Sequence, residues 1–348
     1  MNHLVVLGAD PVHNHRALQG VLESAPAGTV EVPPGDHVLA GGLRVPGGWT
    51  LRGAAAPAGS VPSTWLASVA TDGTPVLHVT GADVSISDIG LRPPPSDPGE
   101  HGGDRGTAIT VGEYLYRDTP AWIANVDIRR VHVISAGRSA NSIALMGAVH
   151  DVTLHDIAVR GGHTGVAVHW GAVGAGVDSI TGPTYHPNRL TIGDLRVRDA
   201  VEGFYLSSVH DVQVTGVCLG DVEMGFRLLP GDNTDRFHGD ADAHIGDRIE
   251  IGDVCVRWSG EKYGVRVAGW GRSEVDGVIS TLDYRDTIIR DCVVRRVSPP
   301  PSGPVHPGTA AWSPVLLEHA DGVVLHNVRI ESAPDPGCCR MSAAEDRR

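Results

Sequence analysis

Seven segments of the chain share one pattern: 126–133, 152–159, 190–197, 212–219, 249–256, 287–294 and 323–330. Each reads apolar-x-apolar, two turn residues, apolar-x-apolar. Three residues therefore alternate as a strand, the chain bends, and three alternate again. The bend often carries Asp or Asn, as at Asp156, Asp194, Asp253, Asp291 and Asn327. These residue types tolerate a left-handed backbone and bond to their own main chain, as a tight corner requires. In several units a third strand follows that opens on glycine: 165–170, 203–207, 225–229 and 264–268. Three short strands, one tight corner and a period of ~22 residues that lengthens only by insertion specify a coil whose turns stack by parallel pairing. A β-sandwich built of hairpins needs Asn-Gly-type loops, and none occurs at these corners.

Composition agrees with a repeat array. The 348 residues include 45 Gly and 24 Pro, yet 41% of the chain is hydrophobic, enough to bury a core. No apolar run approaches the ~20 residues of a membrane span. The start, Met1 to His15, lacks a basic region and a long apolar run, so the expectation is a cytoplasmic protein without a secretory signal. A formal net charge of −13 opposes contact with nucleic acid or anionic lipid. Lys262 is the only lysine, so a lysine general base has one possible location. The five cysteines include no C-x-x-C, and an odd count argues against a disulfide framework or a structural zinc site. Cys218 and Cys255 fall at equivalent outward positions of successive turns and carry no assigned chemistry. Cys292 points inward, and the pair Cys338 and Cys339 lies in a tail without strand pattern.

The entry to the array carries a resemblance. Residues 17–39 run through a short amphipathic segment to Pro33-Pro34-Gly35-Asp36-His37; Leu43-Arg-Val-Pro-Gly-Gly-Trp-Thr-Leu-Arg-Gly53 and the 81–91 segment follow. This succession resembles the entry of pectate-lyase-like proteins (the pectin-lyase-fold superfamily), and the likeness spans roughly residues 12–330. It implies an all-β, right-handed parallel β-helix: a three-strand coil of about 9–10 turns with a short capping helix over 12–24. The expected organisation is one domain over 1–335 and a loose tail over 336–348. The resemblance is specific for fold and weak for activity, since the fold carries lyases, hydrolases, epimerases and non-catalytic modules.

In the third strands, Val166, Phe204, Phe226 and Val265 should fill the coil, as should Val168, Leu206, Leu228 and Val267. Two outward columns remain: Ala167, Tyr205, Arg227 and Arg266 in one, His169, Ser207, Leu229 and Ala268 in the other. Turns stack ~4.8 Å apart, so Tyr205, Arg227 and Arg266 should be exposed neighbours. Two stacked arginines repel unless an anion lies between them, which makes the column a candidate carboxylate clamp; nearby acids that neutralise them are the alternative. Units lengthen just after this strand, at 171–187, 230–246 and 269–284, as loops that wall a cleft would. In the resembled family the strand these loops reach lines the substrate groove.

The 230–246 insertion carries His238, Asp240, Asp242 and His244 in alternation. In an extended loop they would point one way as acid and base or around a divalent metal; otherwise they form a solvated turn. Asn233-Thr-Asp235 echoes a polygalacturonase motif whose remaining parts do not appear in register. His169 and His186 bracket the 171–187 insertion. Trp170 and Trp270 sit at equivalent strand ends, to stack on sugar rings or to anchor their own loops.

The reading is a carbohydrate-active enzyme on an acidic sugar or oligosaccharide, working by β-elimination or epimerisation without a cofactor. Elimination needs a group that neutralises the carboxylate, a base and an acid. Arg227 and Arg266 fit the first; Tyr205, His169 and His238 are the proton-transfer candidates. His186, Trp170, Trp270, Ser207, Asp240 and Asp242 are the substrate-binding candidates. Hydrolysis would need two facing carboxylates from among Asp235, Asp240, Asp242, Glu202 and Glu318. A cytoplasmic tailoring enzyme (dehydratase, isomerase or cyclase) for a small metabolite, and a non-catalytic binding module, are the alternatives.

Overall fold

Alternation of Val, Ile and Leu with polar residues builds two stacks of short strands that share one core. A computed structural model describes residues 1–55, 57, 60–95, 106–176, 179–230, 246–259, 262–269, 271–275, 278–297 and 313–331. Two parallel sheets dominate it, one of 13 strands and one of nine. Each regular turn gives the larger sheet one long strand made of the two alternating triplets, and gives the nine-stranded sheet the glycine-opened strand. The expected inward column is continuous: Val131 pairs with Ile157, then come Leu195, Val217, Val254, Cys292 and Val328, each in register with the next. All are buried except Val328, which packs against the core from the last turn. The architecture is the right-handed parallel β-helix.

The bends have the geometry their residues imply. Asp88, Arg130, Asp156, Asp194, Asp253, Asp291 and Asn327 all have φ between 49° and 59°. Arg130 is the odd residue in this column, and its guanidinium binds the Asp88 carboxylate at 2.6 and 2.8 Å. A second left-handed column lies at the entry to each long strand: Asp83, Asn125, Asp151, Arg189, Asp211, Arg248 and Asp286. From Asp151 onward it alternates acid and arginine. Arg189 reaches back to Asp151, and Arg248 to Asp211, so like charges are never neighbours.

The capping helix spans Pro11–Ser24, with the Asp10 carboxylate accepting from the Val12 N–H at 3.0 Å. Leu18 and Leu22 are buried over the open end of the first turn, which shields the sheet end from other chains.

One expectation fails on the second face. Cys218 and Cys255 are register partners on adjacent turns, and both are disulfide-bonded. Parallel neighbours lie ~4.8 Å apart, within the Cα separation a disulfide bridges, so an odd total count was no obstacle to one local pair. Cys292 is free and buried, as its inward position requires.

Candidate active site

The register of the glycine-opened strands positions the site. In 164–169, 202–206, 224–228 and 263–268, Val166, Phe204, Phe226 and Val265 form one inward row. The Phe204 and Phe226 rings stack at 4.5 Å with 6° between planes. Each intervening residue then faces outward, and Ala167, Tyr205, Arg227 and Arg266 stand in register.

The column is less open than its sequence implies. Tyr205 is only 7% exposed. The Arg227 guanidinium lies over its ring, 4.3 Å from the centroid, and His169 meets the ring edge-on at 4.9 Å. The arginines are neutralised by nearby acids, since each has its own glutamate. Arg227 Nε is 2.7 Å from Glu202 Oε1, and its Nη2 donates to Oε2 at 3.2 Å. Arg266 donates to Glu318 from both Nε and Nη2. The acids sit at opposite ends of their strands, Glu202 at the first residue and Glu318 at the last, so sequence spacing from the arginine column did not reveal them.

Glu202 is fully buried and also accepts from the Thr164 hydroxyl at 3.1 Å. Burial raises its pKa, opposed by Arg227 and by the Thr164 hydrogen bond. Burial also disfavours the Arg227 charge, yet Glu202 together with Tyr205 and Tyr263 outweighs this and leaves the guanidinium pKa raised. Among the described residues no acid raises the pKa of His169. Burial, assisted by the Arg227 charge, lowers its pKa to about 4, so at neutral pH it is an uncharged imidazole able to accept a proton.

These groups open onto a cavity of about 420 Å³ lined by His169, Tyr205, Arg227 and Arg266. It is also lined by Asn141, His163, Thr164, Met224, Lys262 and Tyr263, which sequence reasoning did not place there. Thr164, Glu202 and Met224 form a register column of their own at the corner that precedes the outward column; that signal was available in the repeat. Lys262, the single lysine, is exposed at the edge of this cavity and makes no hydrogen bond or ion pair among the described residues.

Other candidates fall elsewhere. Trp170 is 1% exposed in a small core with Ala172, Ile180 and Tyr114, so it anchors its insertion and offers no face to a sugar. That insertion forms the antiparallel strands Gly171–Gly174 and Ile180–Tyr185. His186 is buried against His210, 3.2 Å between ring nitrogens, and burial together with that neighbour lowers its pKa to about 3. It does not line the cavity. Ser207 is fully buried and its hydroxyl has no partner among the described residues, so it reaches no open surface. His238, Asp240, Asp242, His244, Asp235 and Trp270 lie outside the described residues. Among the described residues no cluster of three His, Cys, Asp or Glu side chains could hold a metal.

Coil, corner columns and outward-facing strand together define a right-handed parallel β-helix, the pectin-lyase fold. Neither a family model nor a curated protein matches the sequence. Among solved structures, the chain is similar to an endo-xylogalacturonan hydrolase from Aspergillus tubingensis, at 10% identity and TM-score 0.50 over 97% of both chains. It is also similar to the A-module of a mannuronan C-5 epimerase from Azotobacter vinelandii, at 14% identity and TM-score 0.42 over 95% of this chain and 93% of that one. A surface protein and adhesin of Streptococcus pneumoniae matches at 11% identity and TM-score 0.48, over 94% of this chain and 95% of that one. At 10% identity the likeness to the hydrolase concerns the fold alone.

Proposed function

We propose that the cavity is the active site of a carbohydrate-active enzyme that removes the proton α to the carboxylate of an acidic sugar. The observation that carries this is the packing of an uncharged His169 against Tyr205, itself beneath Arg227, on rigid strands beside Lys262. His169 takes the α proton. Lys262, beside the two arginine–glutamate pairs, offsets the charge that develops on the carboxylate. The Tyr205 hydroxyl then gives its proton to the leaving glycosidic oxygen, which completes β-elimination, or to the opposite face of the same carbon, which completes epimerisation. The hydrolase that shares the fold acts, by its name, on xylogalacturonan, which supports carbohydrate as the substrate class.

Hydrolysis is less well supported. It requires two carboxylates on either side of the bond, whereas Glu202 and Glu318 are each tied to an arginine. Cavity size favours a short acidic substrate, which keeps a tailoring enzyme for a small hydroxy acid as the second reading.

The test is proton exchange. Uronate oligosaccharides incubated with the protein in D₂O should gain deuterium at the carbon bearing the carboxylate, or yield an unsaturated sugar. His169→Gln should abolish both. Exchange that persists undiminished in that variant removes His169 as the base.

A further inference from the structure

Asn141 is 2% exposed, and neither its Nδ2 nor its Oδ1 has a hydrogen-bond partner among the described residues. It lines the same cavity as His169, Tyr205 and Lys262. A buried carboxamide with both functions unmet is costly and uncommon. Its backbone setting is fixed on both sides. The Ala140 carbonyl accepts from the His163 N–H at 2.8 Å, and the Ser142 N–H donates to the Thr164 carbonyl at 2.8 Å. The segment leading to it, 135–140, is strapped towards the site because Arg138 forms an ion pair with Glu223, 85 residues further along the chain. Glu223 directly precedes Met224, another residue of the cavity wall.

We propose that Asn141 is a substrate-binding residue that reads a hydroxyl of the acidic sugar. A carboxamide presents a donor and an acceptor side by side. A ring hydroxyl presents the complement: its oxygen accepts from Nδ2–H while its proton is donated to Oδ1, or two adjacent hydroxyls divide these roles. The inference rests on the reading of the cavity as an acidic-sugar site and adds its specificity. Lys262 takes the carboxylate without regard to what surrounds it, whereas Asn141 rejects an acid that lacks the hydroxyls, since a hydroxyl-free ring leaves the buried amide unpaired.

Two probes separate the parts. Binding of galacturonate, mannuronate and guluronate trimers would be measured by calorimetry beside tetrahydropyran-2-carboxylate, which keeps ring and carboxylate but has no hydroxyls. The wild type should prefer one of the trimers over the hydroxyl-free acid. Asn141→Leu, close in volume and without polar atoms, should lose at least tenfold of that preference and still bind the hydroxyl-free acid. It should also melt no lower than wild type, since it removes an unmet buried amide; a purely structural asparagine would give a lower melting temperature instead. Lys262→Met should weaken both probes together. Unchanged preference in Asn141→Leu, or a lower melting temperature with unchanged affinity, overturns the role of Asn141 alone. Failure of the wild type to bind any trimer, or indifference of all binding to Lys262→Met, overturns the acidic-sugar reading and this inference with it.

Discussion

The Arg227 guanidinium lies 4.3 Å from the centroid of the Tyr205 ring while its Nε stands 2.7 Å from the Glu202 carboxylate. One side chain thereby joins a fully buried acid to a ring that faces the cavity. The pair with Glu202 decides what a substitution at Arg227 does. Arg227→Met strands a carboxylate in the interior, and breaking such a pair typically costs about 3–5 kcal/mol. Chemical denaturation should show a loss of that order for Arg227→Met, and a clearly smaller one for the double variant with Glu202→Gln. Equal losses in the two proteins would mean that the carboxylate is hydrated by other means and that the pair is not what holds Arg227 in place.

Acid should act on the fold through three histidines held neutral. Burial lowers His132 and His169 to about 4, and His186 to about 3; neighbouring positive charge adds to each. In the unfolded chain these groups titrate near 6.5, so between about pH 6.5 and 4 the unfolded state binds more protons than the folded one. Stability is then complete above pH 6.5 and declines as pH falls through that window. Denaturation midpoints measured from pH 7.5 to 4 should fall accordingly, and His132→Gln should flatten the slope. Activity should follow a related limb, rising with pH as His169 loses its proton near pH 4. Because Arg227 contributes to that low value, Arg227→Met should move the limb to higher pH.

The Cys218 and Cys255 bridge fastens the turn that carries Arg227 to the turn that carries Arg266. It closes a loop of 37 residues (255 − 218), for which chain entropy gives a stabilisation of roughly 4 kcal/mol. A dithiol reductant, or Cys218→Ser with Cys255→Ser, should lower the melting temperature, and the reductant should add nothing to the double variant. An identical melting curve with and without reductant would show that the cross-link is absent in solution.

How far the sequence carried the structure depended on whether a feature repeats. The Val131-to-Val328 column, the Asp and Asn bends and the pairing of Tyr205, Arg227 and Arg266 were legible because every turn restates them, and a one-residue slip would turn each strand inside out. The charge state of the arginine column was not legible. Glu202 and Glu318 occupy different strand positions, so no periodicity links them to the residues they neutralise. Asn141 escaped notice because a lone amide in a Ser-Ala-Gly segment has no pattern, and only its unmet hydrogen bonds mark it out. Trp170 shows the converse: a conspicuous residue at a suggestive strand end whose ring is spent on its own insertion.

The glycines that open the third strands hold the outward column in register, and they do so by lacking a Cβ. A Cβ on Gly203 would come 2.5 Å from the Gly225 carbonyl oxygen, and one on Gly225 would come 1.9 Å from that of Gly264. On Gly264 it would come 2.7 Å from the Pro314 carbonyl oxygen. None of the three has a positive φ, so the requirement is close approach between turns and not backbone handedness. Backbone cannot yield as a flexible side chain does. Gly225→Ala must therefore push the Arg227 and Arg266 strands apart or twist one of them. Overpacking of this kind commonly costs 1–3 kcal/mol or more, and here the displacement falls within two residues of the cavity wall. We expect Gly225→Ala to lower the melting temperature and to reduce turnover. Gly20→Ala, at a half-buried position of the capping helix where an added Cβ meets nothing within 4 Å, should leave turnover unchanged and raise stability slightly, because alanine is the better helix former. Wild-type stability and turnover in Gly225→Ala would mean that the turns are spaced more loosely than the described contacts, and the register argument for the Tyr205, Arg227 and Arg266 column would lose its footing.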